Sequence, residues 1–225
     1  MFRSKSNPVN VWMSFSDLLT GALVVFMLIT VVLVIKTRAD VTKIAEKEKE
    51  VSENFKTNLN GIEGVTVTDD GTIRFYSQSN SKDGQLFQYG SFELTSAFIT
   101  GLDSITPKFL NELEKVFSNS EKSGVEIREI RIEGHTDSNG EDDFNLRLSQ
   151  ERATQTWFEI RDKILSKRSL KFQEYCKSKV VTVGFGETKL LDENGVLLQV
   201  SGGRENSILS RRVELSVLFK GFGKE

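Results

Sequence analysis

The chain has 225 residues, of which 28% are charged, and its formal net charge at pH 7 is only −2. This length holds one domain of about 150 residues with additional segments, and the near-neutral charge gives no reason to expect direct binding to nucleic acid. The single cysteine, Cys176, excludes a disulfide within the chain, which leaves a half-buried thiol or a bridge between two copies in an oxidising compartment.

The first predicted element is a membrane-spanning helix over residues 12–35, which follows a short tail of residues 1–11. No charged residue occurs from Leu18 to Ile35. At about 1.5 Å per residue the helix extends about 36 Å, enough to cross about 30 Å of hydrocarbon with some tilt. A cleavable signal peptide is the competing interpretation, but its apolar core would be only about 7–15 residues long. We therefore expect a retained single span.

The orientation of this span cannot be read from the flanking charges. Two cations, Arg3 and Lys5, precede the span, and three follow it: Lys36, Arg38 and Lys43. The positive-inside rule therefore gives almost no indication of the orientation. The tail is too short to fold, and the domain after the span has the features of an extracytoplasmic domain described below. We therefore expect a cytoplasmic N-terminus and a periplasmic C-terminal domain in a bacterial inner membrane.

Asp17 is an acidic residue at the beginning of this apolar segment. Ser14, Asp17, Thr20 and Gly21 have the spacing of one helical face. A carboxylate costs about 2.5–3.5 kcal/mol at the centre of a bilayer and less near its surface, so such residues usually face a protein interior or a water-filled path. One interpretation is a carboxylate that alternately binds and releases a proton or Na⁺. The alternative is the polar end of a shorter span that begins one residue later.

The segment from Trp12 to Phe26, WMSFSDLLTGALVVF, resembles the start of flagellar stator B subunits and their relatives. In that family the aspartate carries the ion, so the resemblance implies this role for Asp17, with Thr20 beside the ion path. Leu19 stands where many members have methionine. The resemblance also implies a homodimer inside a ring of five A-type membrane subunits, cytoplasmic effectors that act through the A subunit, and H⁺ or Na⁺ as cargo without a resident cofactor.

The charged segment of residues 36–60 contains no proline and no glycine, so it is predicted to be a helical linker. Its apolar residues follow a 3–4 spacing if one acidic residue fills a position: Val41, Ile44, Glu48, Val51 and Phe55. A short two-stranded coiled coil and a single solvated helix are the two alternatives. Gly61 and Gly64 then mark the beginning of a globular domain over residues 61–225.

The globular domain is predicted to be α+β, with two helices packed on one mixed sheet. The predicted strands are Thr72–Tyr76, Val125–Ile132, Val180–Val183 and Val213–Phe219, and the predicted helices are Pro107–Val116 and Asn145–Leu165. Proline is favoured in the first turn of a helix, so Pro107 is expected at a helix start. Residues 77–90 are interpreted as an insertion.

Four motifs occur in order along this domain: IEGHTDSNG at Ile132, NLRLSQERA at Asn145, GFGE at Gly184 and RRVEL at Arg211. Together they are similar to the OmpA C-terminal domain, which peptidoglycan-associated lipoprotein and flagellar stator B subunits share. The similarity covers residues 125–219 and is looser before them. It implies an OmpA-like fold with a βαβαβ-type order and a peptidoglycan-binding function.

This resemblance assigns Asp137 and Arg152 to the diaminopimelate stem peptide of Gram-negative peptidoglycan, with Asn145 shaping the loop around them. An aspartate beside an arginine matches an ammonium and a carboxylate at one centre, and arginine can hold the carboxylate through two parallel bonds. In the structural alternative, Asp137 caps a turn and Arg152 pairs with a surface acid. Two departures concern affinity for the wall rather than the fold: Ser210 replaces the family asparagine, and residues 189–210 form a long segment.

No catalytic constellation is found in the sequence. His135 is the only histidine, which excludes a cluster of several histidines, and it is interpreted as a structural residue at a strand end. The acidic segment after Asp137 has Gly140 at its fourth position rather than its sixth, so it is not an EF-hand loop. Phosphate-loop and His-Glu-x-x-His patterns are also missing from the sequence. We therefore expect no enzyme and no metal site.

The sequence thus predicts the B-type subunit of an ion-driven stator anchored to peptidoglycan. Two stator systems remain as alternatives, flagellar rotation and the Zorya anti-phage defence complex. The short tail, the W-x-S-x-S-D-L start and the compact length are more similar to the Zorya group. A passive peptidoglycan tether is the rival of a different class, and the acidic residue at the span argues against it, because a tether needs no charge in the membrane.

Overall fold

The computed structural model describes residues 8–59, 61–77 and 85–221, which divide between two compact units, residues 1–43 and 44–225. Arg3 and Lys5, on which the orientation argument drew, lie outside the described residues, as does half of the predicted insertion, residues 78–84. We describe each unit by itself. The described residues of the first unit form a helix, and the second unit contains a sheet with helices packed on it.

A single long helix, α1 (Pro8–Leu59), contains the predicted span and the predicted linker. Among the described residues it is the one helix that is long and apolar enough to cross a membrane. The hydroxyls of Thr20 and Thr30 donate to the carbonyl oxygens four residues earlier, at 2.9 and 2.8 Å. The polar side-chain groups within the apolar segment are thus satisfied by the helix itself, as lipid requires.

The second unit contains a five-stranded mixed sheet in the order β1-β2-β5-β3-β4. Its strands are β1 (Val65–Val67), β2 (Ile73–Tyr76), β3 (Val125–Gly134), β4 (Val180–Gly184) and β5 (Arg212–Gly221). The pairing of β3 with β4 is parallel and the other pairings are antiparallel. The predicted α+β class with a mixed sheet is confirmed, and β5 at its centre carries the strictly alternating apolar residues of the C-terminal segment.

Three longer helices of this unit pack against the sheet and contribute apolar residues to the core, and two short helices follow them. They are α2 (Ser96–Ser123), α3 (Asp142–Glu159), α4 (Leu170–Lys179), α5 (Leu198–Ser201) and α6 (Ser207–Ser210), and a π turn over Ile160–Ile164 extends α3. The strand β1 and the helix α4 were not predicted. Helix α4 buries Cys176 almost completely, and this burial raises the pKa of its thiol to about 12, so a bridge between two copies cannot form in this conformation.

The prediction that Pro107 begins a helix is wrong, because α2 begins at Ser96 and contains Pro107 in its interior. Thr95 caps the true start, where its hydroxyl accepts the backbone amide of Phe98 at 3.3 Å. Three apolar residues before the proline, Phe98, Leu102 and Ile105, are buried. A proline in a helix interior costs about 3 kcal/mol, and burying three large side chains at about 1.5–3 kcal/mol each offsets it.

The C-terminal part of α1 belongs to the second unit, which begins at Ile44 rather than at the predicted domain start, Gly61. Val51 and Phe55 are buried, and the Phe55 ring stacks on Phe109 of α2 with centroids 5.4 Å apart. The side-chain amide of Asn54 also donates to a carboxylate oxygen of α2 at 3.0 Å. Because Val51 and Phe55 pack on the chain's own domain, they cannot form the seam of a two-stranded coil in this conformation. The segment also differs from the alternative of a single solvated helix, since one of its faces is buried.

Candidate ligand-binding cleft

The cleft of the second unit forms where α3 approaches the ends of β3 and β4. A Cβ atom at Gly134 would lie 2.1 Å from the carbonyl oxygen of Ser149, and one at Gly184 would lie 2.4 Å from the backbone nitrogen of Gln150. Only glycine permits this approach of helix to strand. The glycines of two sequence motifs therefore bring the N-terminal half of α3 against the loop that follows β3.

The loop after β3 is held between the two neighbouring chain segments. The backbone amide of His135 donates to the carbonyl of Arg212 at 3.0 Å, and that of Thr136 donates to the carbonyl of Gly186 at 2.9 Å. Asp137 follows directly, and its carboxylate reaches a cleft of about 570 Å³. This volume lies within the range of small-ligand sites. The polar side chains that line it include Asp137, Asn139, Asn145, Arg152 and Arg211.

The carboxylate of Asp137 is only 10% exposed and accepts bonds from within the chain. Its Oδ2 atom accepts Nη1 of Arg211 at 2.5 Å and Nδ2 of Asn139 at 3.0 Å. The Oδ1 atom accepts only the backbone amide of Asn139, at 3.4 Å. Asp137 therefore closes a turn, as the structural alternative proposed, and also presents a charged edge to the cleft.

Arg152 of α3 is buried along its length, with its end at the cleft. Its Nε donates to the carbonyl of Ser91 at 3.0 Å, and its guanidinium lies 4.9 Å from the centroid of the Phe87 ring. Burial, and then the like charge of Arg211, lower its pKa to about 10, while Asp137 acts in the opposite direction. Arg152 therefore remains a cation at neutral pH.

Arg152 does not pair with a surface acid among the described residues, contrary to the prediction of the structural alternative. Among the described side chains Arg152 forms no salt bridge, and its two terminal nitrogens make no hydrogen bond. The Nε bond and the Phe87 ring fix the plane of the guanidinium. This leaves the terminal edge able to form two parallel bonds to a carboxylate.

The side chain of Asn145 binds the loop after β3 in addition to lining the cleft. Its Nδ2 donates to Oε2 of Glu187 at 2.8 Å, to the carbonyl of Asn139 at 3.2 Å and to that of Asp137 at 3.4 Å. It is 2% exposed. The geometry therefore brings Asp137, Arg152 and Asn145 to one cleft and gives Asn145 the loop-shaping position that the resemblance implied.

Sequence reasoning missed two residues that line the cleft, Arg211 and Phe87, and also Ser91, whose carbonyl binds Arg152. Arg211 was within a quoted motif, but nothing in the pattern separated it from Arg212, whose side chain instead donates to Glu214 at 2.6 Å. Neighbouring residues in an extended segment point to opposite faces, which is why only the first arginine reaches Asp137. Phe87 and Ser91 come from the segment around the predicted insertion, where no motif indicated a role.

A second charged cluster lies next to the cleft, and its contacts are those of a structural ion-pair network. One potential ligand atom each from Glu133, His135 and Glu214 lie within 4.8 Å of one another. The two carboxylates are already paired with cations: Lys189 lies 3.0 Å from Glu133, and Arg212 lies 2.6 Å from Glu214. Since these pairs neutralise both acids, the cluster resembles a buried ion-pair network rather than a cation site.

His135 is almost fully buried within this network. Its ring stacks on Phe185 with an interplanar angle of 5°, and its Nε2 lies 3.5 Å from Glu133. Burial lowers the pKa of the imidazole, partly opposed by Glu133. The ring is therefore neutral at pH 7 and serves as packing at the base of the cleft.

Asp17 lies in α1, in the first unit. The helix places Asp17, Thr20 and Gly21 on one face, since residues three and four positions apart are neighbours. The Ser14 side chain, which the sequence places on the same face, is not among those the structure describes. The side chain of Asp17 is exposed in the single chain, so whatever surrounds it must come from lipid, water or a partner.

Comparison with known proteins gives two relatives over nearly the whole chain. Zorya protein ZorB of the Crooks strain of Escherichia coli is 30% identical over 227 residues, which cover 92% of this chain and 87% of the relative. Zorya protein ZorB of another Escherichia coli strain is 25% identical over 219 residues, which cover 93% and 80%. No family model matches the chain. Among solved structures, a MotB-like protein from Desulfovibrio vulgaris covers 82% of this chain and 98% of its own, with 20% identity and a TM-score of 0.44.

Proposed function

The chain belongs to the family of Zorya protein ZorB, and on that premise we propose that it is the B-type subunit of an ion-driven stator that is anchored to peptidoglycan and acts in anti-phage defence. The resemblance to Zorya B subunits that the sequence indicated is confirmed by these relatives. The proposal rests on two features that occur in one chain. One is an acidic residue in an apolar helix, and the other is a cleft that contains both a carboxylate and a guanidinium.

The ion-handling role falls to Asp17. An acidic residue in a membrane helix is rare and usually faces a protein interior or a water-filled path. Asp17 is exposed in the single chain and shares a face with Thr20. A neighbouring membrane subunit on this face would supply that interior. H⁺ or Na⁺ would bind the carboxylate where it is desolvated and leave it where it is hydrated.

The anchoring role falls to the cleft. Asp137 offers a carboxylate for the ammonium of diaminopimelate, and the terminal nitrogens of Arg152 offer two parallel bonds to its carboxylate. Asn145 keeps Asp137 in place through the loop. A zwitterionic centre can bind both side chains at once, whereas a neutral ligand would leave the buried charge of Arg152 without an anionic partner.

The assembly that these roles require contains further subunits. We propose that two copies of the chain lie inside a ring of five A-type subunits, with the N-terminus in the cytoplasm and the second unit in the periplasm. Cytoplasmic effectors would act through the A-type subunits, without nucleic acid binding to this chain. Ion flow past Asp17 would drive rotation of the ring relative to the anchored copies.

The main alternatives are a flagellar stator subunit and a passive tether. Phage protection in cells that carry the chain with its A-type partner separates both from the proposal. Protection that requires both Asp17 and the cleft supports the defence stator. Protection that requires the cleft but tolerates the loss of Asp17 indicates a tether. Restoration of swimming, instead of protection, in cells that lack a flagellar stator indicates the flagellar assignment.

A further inference from the structure

The chain enters the second unit at the end of the sheet that lies opposite the cleft. Within α1, the hydroxyl of Ser52 donates at 3.1 Å to the carbonyl oxygen of Asp69, in the turn between β1 and β2. This turn lies at the far end from the cleft, because β2 begins there and runs towards the cleft beside β5. After the end of α1 at Leu59, the carbonyl of Gly64 accepts the amide of Tyr76 at 3.0 Å, at the end of β2 nearest the cleft. From Ser52 onwards α1 therefore runs towards the cleft, and the residues before Ser52 come from the opposite end.

Helix α4 lies at this same end of the sheet. The hydroxyl of Tyr175 accepts the backbone amide of Ile127 at 3.1 Å, near the start of β3, whereas the cleft follows the last residue of that strand, Gly134. The helix ends at Lys179, directly before the first residue of β4, whose other end lies at the cleft. We call the exposed surface of residues 167–179 the α4 face. It points away from the cleft end of the unit.

The α4 face is basic. Residues 167–179 contain five cations and one acid, Glu174. Arg168 is paired with Glu114 of α2 at 3.1 Å, and Asp162, in the preceding turn, is paired with Arg161 at 2.6 Å. Four lysines of the face form no salt bridge with a described side chain: Lys167, Lys171, Lys177 and Lys179. The face therefore presents several positive charges that the fold itself does not neutralise.

Two of these lysines are held by aromatic rings rather than by acids. The Nζ atom of Lys171 lies 5.7 Å from the centroid of the Phe117 ring, and that of Lys179 lies 5.6 Å from the centroid of the Tyr175 ring. A ring holds the lysine stem in place and leaves the charge able to meet an anion. Leu170 is 76% exposed among the cations. An apolar side chain between lysines is typical of a helix that lies at the boundary of headgroups and acyl chains.

A bilayer surface lies within reach of this face. The apolar segment of the chain ends at Ile35 and the second unit begins at Ile44, so eight residues separate them. Even a fully extended chain of this length covers only about 30 Å. The chain thus keeps the second unit, at its end opposite the cleft, close to the membrane that contains its own span.

We propose that the α4 face docks on the surface of this membrane through the phosphate groups of anionic phospholipids. Each lysine near an anionic surface strengthens binding by about fivefold, so four lysines opposed by one acid shift the docking equilibrium by about 100-fold. Docking turns the cleft, at the other end of the sheet, away from the bilayer. The inference requires the membrane span of the chain and does not depend on what the cleft binds.

The test uses the full-length chain in lipid nanodiscs of phosphatidylcholine, alone or mixed with phosphatidylglycerol, with a nitroxide on the headgroup of a tracer lipid. Ser178→Cys, between two lysines of the α4 face, takes a maleimide fluorophore that the nitroxide quenches at short range. Tyr89→Cys is the matched control, because Tyr89 is 95% exposed and lines the cleft. The native Cys176 is buried, and the pKa of its thiol is raised to about 12, so it does not take the label.

Docking predicts strong quenching of the Ser178→Cys label in the phosphatidylglycerol discs, little in the phosphatidylcholine discs, and little of the Tyr89→Cys label in either. Replacement of the four lysines by glutamine should weaken docking by about 100-fold or more and remove the difference between the discs. The melting temperature verifies that this variant is folded. An increase in ionic strength from about 0.1 M to about 1 M should also reverse the quenching, because the Debye length falls from about 10 Å to about 3 Å.

Three results would overturn the inference: equal quenching in the two kinds of disc, equal quenching of the two labels, and quenching that survives the loss of the lysines. Absence of quenching at Ser178→Cys in both kinds of disc would overturn it as well and would leave the α4 face to an acidic partner protein. None of these results bears on binding of peptidoglycan by the cleft, which co-sedimentation with sacculi measures separately.

Discussion

The carboxylate of Glu205 accepts both the backbone amide and the hydroxyl of Ser138, the residue directly after Asp137. The amide bond to Oε1 measures 3.1 Å. Glu205 belongs to the long segment of residues 189–210, which the sequence marked as a departure from the OmpA-like pattern. This contact joins that segment to the loop that positions Asp137, so the departure supports the cleft.

Glu205→Ala should therefore weaken binding to peptidoglycan sacculi without loss of fold. The loop loses two hydrogen bonds to a charged group, and we expect a 3- to 10-fold loss of affinity, since only part of about 1–3 kcal/mol is transmitted to the ligand. Co-sedimentation of the full-length protein with sacculi measures it. Glu193→Ala, in the same segment and exposed, is the matched control and should bind as the wild type does. Equal binding by both variants would show that the contact does not position the loop.

Loss of either charge of the cleft should reduce binding more strongly. Asp137→Asn or Arg152→Met leaves one ligand charge without its partner, at a cost of about 1–3 kcal/mol, or about 5- to 150-fold in affinity. Arg147→Met is the control, because Arg147 lies on the same helix and is exposed. Sedimentation that is equal for the wild type and both cleft variants would remove wall binding from these residues.

The buried histidine predicts a pH-dependent stability. Burial lowers the pKa of His135 in the folded chain, while in the unfolded chain its pKa is near 6.5. The unfolded state therefore binds the proton first, and stability falls as the pH drops below about 6.5. Burial raises the pKa of Glu133, but His135 and Lys189 together lower it to about 2, so this carboxylate adds a loss of stability only at pH below about 4.5.

Thermal unfolding of the full-length chain in detergent between pH 5 and 8 measures this effect. His135 is the only histidine, so His135→Phe should flatten the dependence between pH 5 and 7 even if the overall melting temperature changes. A slope that persists in the variant would assign the effect to other groups.

The packing of α1 on the second unit gives a further prediction. Phe55 is 2% exposed and stacks on Phe109, so Phe55→Ala should reduce the free energy of unfolding by about 3–5 kcal/mol. Val41→Ala is the control, because Val41 is 59% exposed. A lowered melting temperature for Phe55→Ala alone supports the packing within one chain. Concentration-dependent melting with equal losses for the two variants would favour the coiled-coil alternative.

Sequence periodicity predicted most of the sheet, because β5 has apolar residues at alternate positions and β3 buries the apolar residues Val125, Ile127, Ile130 and Ile132. It failed at Pro107, where buried residues on both sides outweigh the local preference of proline. It also failed for α4, whose buried face within a charged segment consists of Phe172 and Cys176. In both cases tertiary packing determines the secondary structure, and a local sequence pattern contains no information about that packing.

The candidate site likewise contains residues that the sequence predicted and residues that it did not. Asp137, Arg152 and Asn145 were found because the motifs that contain them resemble a known domain. Arg211 was not distinguished from Arg212, because the contact with Asp137 depends on which face of the extended segment lies at the cleft. For Val51 and Phe55, a 3–4 spacing is equally typical of a coiled-coil seam and of a helix packed on its own domain. These two alternatives can be distinguished only when the surface on which the helix packs is known.

The most direct measurement of the central claim is phage protection by Asp17→Asn in cells that express the A-type partner. The substitution keeps the size of the side chain and removes the titratable charge, so the span should insert at least as readily as before. Asp40→Asn makes the same change in the same helix, outside the apolar segment, and is the control. We predict that Asp17→Asn abolishes protection at normal membrane levels of the protein, while Asp40→Asn retains it. Full protection by Asp17→Asn at normal levels would contradict an ion-driven stator and leave a passive tether in its place.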